Sequence, residues 1–158
     1  MEERNVTTVD ELLTLKGKDL GRGDWMTIEQ SRVDQFADAI GDHQWIHCDP
    51  ERAARDSPYG TTIAHGALLL SLVSLLRESL RGIRIDLPAR MGVFYGLNRV
   101  RFVAPVPVGR RIRLSQTLKD VDVIDARTVQ MVYSEIIELE GEERPAVVIE
   151  AINRKFLS

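Results

Sequence analysis

Apolar residues between Ile28 and Ile40 return on one side of a 3.6-residue repeat: Ile28, Val33, Phe36, Ala37 and Ile40 fall together. The spacing predicts a helix that Gly41 stops. Thr27 followed three residues later by Gln30 has capping-box spacing, which places the helix start at Thr27. A shorter amphipathic helix is predicted over Val9–Leu15, ending at Gly17. Gly21 and Gly23 then bracket a turn before a short strand at Asp24-Trp25-Met26. From Gly41 to Pro58 the chain is polar and turn-rich, with helical potential around Glu51 to Arg55. Gly66 to Leu80 is the most apolar helix. Leu68, Leu69, Leu70, Leu72, Val73, Leu75 and Leu76 cover nearly every direction of it, the pattern of a fully buried helix. Only Arg77-Glu78-Ser79 should carry its end to solvent.

After Gly82 the period changes from helical to alternating. Candidate strands run from Met91 to Phe102, Arg111 to Val121, Thr128 to Glu140 and Ala146 to Phe156. Pro105, Pro107 and Gly109 mark a loop between the first two. One all-round apolar helix followed by long antiparallel-looking strands suggests an α+β domain with a sheet wrapped around that helix. Periodicity leaves other α+β arrangements open. No internal repeat or linker interrupts residues 1–158, so a single domain is expected, in keeping with typical domain sizes of ~100–150 residues.

Composition narrows the partners. A net charge of −3 argues against nucleic-acid binding as the main task, since phosphate neutralisation needs a basic face. It leaves room for a local basic patch that meets an anionic carrier. The lone cysteine, Cys48, rules out an intramolecular disulfide and a thiolate zinc site from this chain alone. The stretch Met1-Glu2-Glu3-Arg4-Asn5 is polar, with no apolar signal core. The longest apolar stretch, Ala67 to Leu76, is broken by Ser71 and Ser74 and is shorter than the ~20 residues of a membrane span. A cytoplasmic protein without membrane association is expected.

Two features carry chemistry. Asp42 directly follows a helix C-terminus, and His47 lies five residues on within a turn. A carboxylate and an imidazole so placed can converge on one water, and an imidazole pKa of ~6.5 suits acid–base work near neutrality. Gly66 opens the apolar helix, where first-turn N–H groups have no intrahelical partner and a glycine lets a ligand oxygen approach. Such an amide suits the oxyanion that develops on a thioester carbonyl.

The run from Phe36 to Ala53, with Gly41-Asp42-His43-Gln44-Trp45-Ile46-His47 at its centre, resembles the signature of the MaoC-like, (R)-specific enoyl-CoA hydratases. Its Gln44-Trp45 pair resembles the nodulation-protein-N-like branch. Ile63-Ala64-His65-Gly66 is similar to the family's second motif, and Asn98 to Gly109 to its downstream strand and loop. The resemblance implies a single hot-dog domain, with an antiparallel sheet around a central helix. It implies that Asp42 and His47 hold and deprotonate a water, that the Gly66 amide polarises the thioester carbonyl, and that Ser71 supports the pair through a hydrogen bond. The implied reaction interconverts trans-2-enoyl-CoA and (R)-3-hydroxyacyl-CoA, on coenzyme A or acyl-carrier protein, in a homodimer with no cofactor or metal. The family motif usually carries Asn-Pro where this chain has Gln44-Trp45, an exchange that bears on the acyl pocket more than on the reaction.

Plainer readings stand beside these. Asp42 also suits a turn cap and His47 a structural histidine. His43 reads as a solvated turn residue, while His65 is divided between packing and catalysis. Asp42, His47, Asp49 and His65 have the residue types of metal ligands, but their spacing fits no known pattern. Cys48 adjoins His47, yet neighbouring side chains usually point apart, and a small inert thiol is expected. Arg99, Arg101, Arg110, Arg111 and Arg113 suit either a guarded sheet edge or the phosphates of coenzyme A. Two other functions remain open: thioester hydrolysis on the same fold, and non-catalytic binding of acyl thioesters.

Overall fold

A computed structural model describes residues 3–158; Met1 and Glu2, the start of the polar N-terminal stretch, lie outside it. The elements are β1 (Arg4–Val6), α1 (Val9–Leu13), β2 (Lys18–Arg22), β3 (Met26–Thr27), α2 (Gln30–Ile40), α3 (Trp45–Cys48), α4 (Pro50–Asp56), α5 (Gly66–Ser71) and α6 (Val73–Glu78). They continue with β4 (Arg81–Ile85), β5 (Ala89–Phe102), β6 (Arg111–Asp125), β7 (Thr128–Leu139) and β8 (Val147–Leu157).

The strands form one sheet in the order β1-β4-β2-β6-β7-β8-β5, with β3 also paired to β6. All pairs are antiparallel except β1 with β4. Alternation does what period-two patterns do: Ile112, Leu114 and Leu118 of β6 and Val147, Ile149 and Ala151 of β8 turn inward. Bulges in β6 between Leu118 and Asp120, and in β5 between Phe94 and Gly96, curl the sheet over the helices. Two apolar clusters result. Leu68, Leu69, Leu72 and Leu76 pack with Leu114, Ile137 and Ile149, while Leu12, Leu15 and Leu20 pack with Leu118 and Met131.

The apolar helix departs from expectation in two ways. It is two short helices joined at Leu72, and it is not buried all round. Ala67, Ser71, Ser74, Leu75 and Glu78 form an exposed stripe. The two serines are therefore part of an open face, and their spacing of three to four residues is helical spacing.

Thr27 does not cap α2: it is a strand residue paired with Arg111, and the cap position is Glu29, without a side-chain cap bond. The Gln30 amide turns instead toward the His47 carbonyl and the Thr62 hydroxyl. Gly21 is no turn residue either. It sits at a bulge of β2 with φ 125°, where a Cβ would fall 2.0 Å from the Arg81 carbonyl oxygen. The polar N-terminal stretch holds β1, and α3 occupies part of the segment read as turn.

Candidate active site

Gly41, with φ 77° and its N–H bonded to the Ala37 carbonyl, ends α2 in the left-handed conformation and turns the chain so that Asp42 leads off the helix. The Asp42 carboxylate is half-exposed, and Oδ1 accepts the Gln44 N–H at 3.2 Å. α3 then carries His47 inward until it is only 7% exposed. Its Nδ1 lies 2.7 Å from the Ile63 carbonyl oxygen. A carbonyl only accepts, so Nδ1 holds the proton and Nε2 keeps a free lone pair, the tautomer of a base. Burial lowers the His47 pKa, with the Ile63 carbonyl opposing, the His65 ring adding to the lowering and Asp42 opposing. The imidazole is thus held neutral and receptive.

His65, 3% exposed, is the residue that joins these parts. Its Nε2–H donates to the Asp42 backbone carbonyl at 3.0 Å. Its ring stacks on His47 with centroids 3.8 Å apart and planes inclined by 25°, and it meets Phe36 in an edge arrangement at 5.3 Å. Behind α3 stands Gln30: Nε2 donates to the His47 carbonyl at 2.7 Å, and Oε1 accepts the Thr62 hydroxyl at 2.6 Å. That is why Gln30 is unavailable for a capping box. Sequence left His65 undecided and assigned Gln30 to the wrong partner, because no local pattern shows a side chain crossing to another segment.

Asp42, His47 and His65 each bring a ligand-type atom within 4.8 Å of the others. The trio has the chemistry of metal ligands, but not their aim. Ring lone pairs lie in the ring planes, and two nearly parallel planes 3.8 Å apart do not meet within the ~2.1 Å reach of a metal–nitrogen bond. Asp49 stands outside the group; it caps α4 by accepting the Arg52 N–H at 3.0 Å.

Gly66 is the first residue of α5, directly after His65. The Phe102 ring of β5 lies over it, so that an added Cβ would fall 2.9 Å from Phe102 Cδ1. Ser71 is five residues further along, and its hydroxyl donates to the Ala67 carbonyl at 2.8 Å, not to Asp42 or His47. His43 makes an exposed pair with Asp38 at 2.7 Å. Cys48 is partly buried, its thiol pushed up by burial and by Asp34, Asp38 and Asp42, so it stays a neutral thiol. Trp45 packs beneath the Arg52 guanidinium, 4.5 Å from ring centre.

The arginine cluster divides. Arg110, Arg111 and Arg113 pair with Glu142, Glu140 and Glu138 across the β6–β7 hairpin. Arg99 and Arg101 on β5 make no ion pair among the described residues. No helix among the described residues is long and apolar enough to cross a membrane.

A family model described as MaoC like domain matches residues 12–139. The chain is 46% identical over 151 residues to the 3-hydroxyacyl-thioester dehydratase Z of Mycobacterium tuberculosis, covering 96% of this chain and 97% of that protein. It is 45% identical over 131 residues to nodulation protein N of Rhizobium leguminosarum bv. viciae, covering 83% and 80% of the two chains. Among solved structures, the (R)-hydratase from A. caviae involved in PHA biosynthesis superimposes with a TM-score of 0.67 at 25% identity, covering 90% of this chain and 96% of that one.

Proposed function

The chain belongs to the MaoC-like family, and on that footing we propose that it is a hydro-lyase interconverting trans-2-enoyl and (R)-3-hydroxyacyl thioesters. One observation carries the reading: His47 is locked by Ile63 as a neutral base, in a cluster with a half-exposed carboxylate. Asp42 orients a water by accepting one of its protons in a hydrogen bond. His47 takes the other proton through Nε2 as the water oxygen bonds to C3 of the enoyl group. The electron pair of the double bond moves toward the thioester carbonyl, whose oxygen the Gly66 N–H receives. His47 then returns the proton to C2 on the same face, and the sum is one water added. Reversal is the dehydration. Ser71 bonds back to its own helix, so its part is to shape the substrate path and not to orient the dyad.

The carrier is coenzyme A or acyl-carrier protein, and the site of action is cytoplasmic. Residues 1–158 are read as one domain that works as a homodimer. What supports the dimer is β5, a 14-residue edge strand that leaves Met91, Phe94, Tyr95, Leu97 and Phe102 exposed. An edge so long and apolar invites a second copy. Sedimentation equilibrium checks this: a dimer mass is expected, and a monomer at micromolar protein refutes it.

The reaction is tested by following the conjugated absorbance of trans-2-butenoyl-CoA. Loss of absorbance without free thiol supports the hydratase. Free thiol released while the conjugation persists identifies a thioesterase. Retained binding with no turnover identifies a binding protein.

A further inference from the structure

Beneath α5 and α6 lies a cavity of about 830 Å³. Its lining includes Leu70 and Ser71, and Ser71 is five residues from Gly66, roughly 7.5 Å along a helix axis. A chain whose thioester rests on Gly66 can therefore enter here. Parts of the wall are apolar, among them Val73, Leu80, Ile83 and Phe94.

The floor is different. Gln116 of β6 and Glu135 of β7 are 5% and 1% exposed, and the Gln116 amide donates to Glu135 Oε1 at 2.6 Å. Arg77 reaches down from α6 and donates Nη2 to the same oxygen at 2.6 Å. Across the cavity, the half-buried Lys155 of β8 donates to the Ile85 carbonyl at 3.0 Å and makes no ion pair among the described residues. Burial lowers its pKa, with Asp86 opposing and Arg84 adding to the lowering.

Arg77 and Lys155 offer hydrogens only; neither has an acceptor. A saturated alkyl tail laid between them would strip water from both cations and return no hydrogen bond. We propose that this cavity receives the acyl tail of the substrate and that the tail bears an acceptor oxygen, as hydroxyl, keto or carboxylate, which Arg77 or Lys155 meets. The inference rests on the hydro-lyase reading of Asp42 and His47. Arg77 is eleven residues from Gly66, roughly 16 Å along a helical path, so the oxygen lies well beyond the reacting double bond.

The test compares trans-2-dodecenoyl-CoA with its ω-hydroxy and ω-carboxy derivatives on the full-length protein. Trans-2-butenoyl-CoA, too short to reach Arg77, runs alongside. At least one oxygenated chain should exceed the plain chain in kcat/KM by about tenfold or more, because unmet polar groups penalise the analogue that lacks the oxygen. Preference for ω-carboxy points to charge pairing with Lys155, and preference for ω-hydroxy to the Arg77 end. Equal or better turnover of the plain chain, with butenoyl-CoA hydrated, overturns the proposal and leaves the hydro-lyase reading standing. No hydration of any thioester overturns both.

Two variants locate the preference, Lys155→Met and the double exchange Arg77→Met with Glu135→Leu. Arg77 and Glu135 change together because removing Arg77 alone would leave the buried Glu135 without its partner. Each variant is judged by its own ratio of oxygenated to plain turnover, with butenoyl-CoA hydration reporting that it has folded. The ratio should fall toward one in at least one of them. An unchanged ratio in both removes these residues from the assignment.

Discussion

The two ends of the α5–α6 segment are polar in different ways. At the α5 end the two rings and Gln30 are each anchored to main chain: His47 to the Ile63 carbonyl, His65 to that of Asp42 and Gln30 to that of His47. At the α6 end the ties run between side chains, with Arg77 and Gln116 meeting on one oxygen of Glu135. Backbone anchors fix a ring in orientation and leave its other nitrogen free, which suits chemistry. A side-chain network can reorganise around what it binds, which suits recognition. Substitutions should therefore act on rate at the first end, and on stability and choice of substrate at the second.

The largest effect belongs to the dyad. His47→Gln or Asp42→Asn should lower kcat for trans-2-butenoyl-CoA by about 10²–10⁴-fold, the range for loss of general acid–base catalysis, with little change in thermal midpoint. A midpoint that falls along with kcat would show the anchors to be structural first.

Next comes the floor of the cavity. Arg77→Met alone leaves the Glu135 side chain, 1% exposed, without its cationic partner, and should cost about 3 kcal/mol in urea unfolding. Adding Glu135→Leu should recover most of that, since a buried pair replaced by apolar residues of similar volume is close to neutral. If the double variant stays as unstable as the single, the pair is holding more of the core than its own contacts show.

This contrast also explains what the sequence revealed. Asp42, His47 and Gly66 stand at a helix stop, five residues on and at a helix start, and local rules together with the family motif find such positions. The long strands of the second half showed through their alternation. Glu135, Gln116 and Arg77 gave no sign, because β6, β7 and α6 come together only in the folded sheet. Within β7, Glu135 simply reads as one more polar residue in the run Ser134-Glu135. The stripe Ala67-Ser71-Ser74-Glu78 was in view, but the surrounding leucines outweighed it. His65 was visible as a residue type and invisible as a contact.

A smaller effect tests the stacked histidines. Catalysis needs neutral His47, whose pKa burial lowers below the ordinary ~6.5, so kcat/KM should hold at pH values under 6.5 before falling. Because the lowered value favours the neutral form in the folded state, the contribution of His47 to stability is full above ~6.5 and declines as pH falls toward the lowered value. His65→Leu removes a neighbour that adds to the lowering. The acid limb should then move to higher pH, with kcat reduced because the Asp42 carbonyl loses its donor. A limb that stays in place would mean that burial alone sets the titration.

The smallest change expected is at Gly66, and it separates two reasons for a glycine. If the residue is there only because Phe102 lies over it, then Gly66→Ala meets the ring at 2.9 Å and the strain is steric. Phe102 is exposed in the single chain but stands in the proposed dimer face, so its ring moves aside only at some cost in stability. If the residue also keeps the amide open to the thioester oxygen, the methyl group narrows that approach even after the ring has moved. Gly66→Ala should then lower kcat severalfold more than it raises KM, because the oxyanion contact strengthens in the transition state. Pairing it with Phe102→Leu should return the thermal midpoint but not kcat. Full recovery of both would make Gly66 a packing residue and move the oxyanion donor elsewhere.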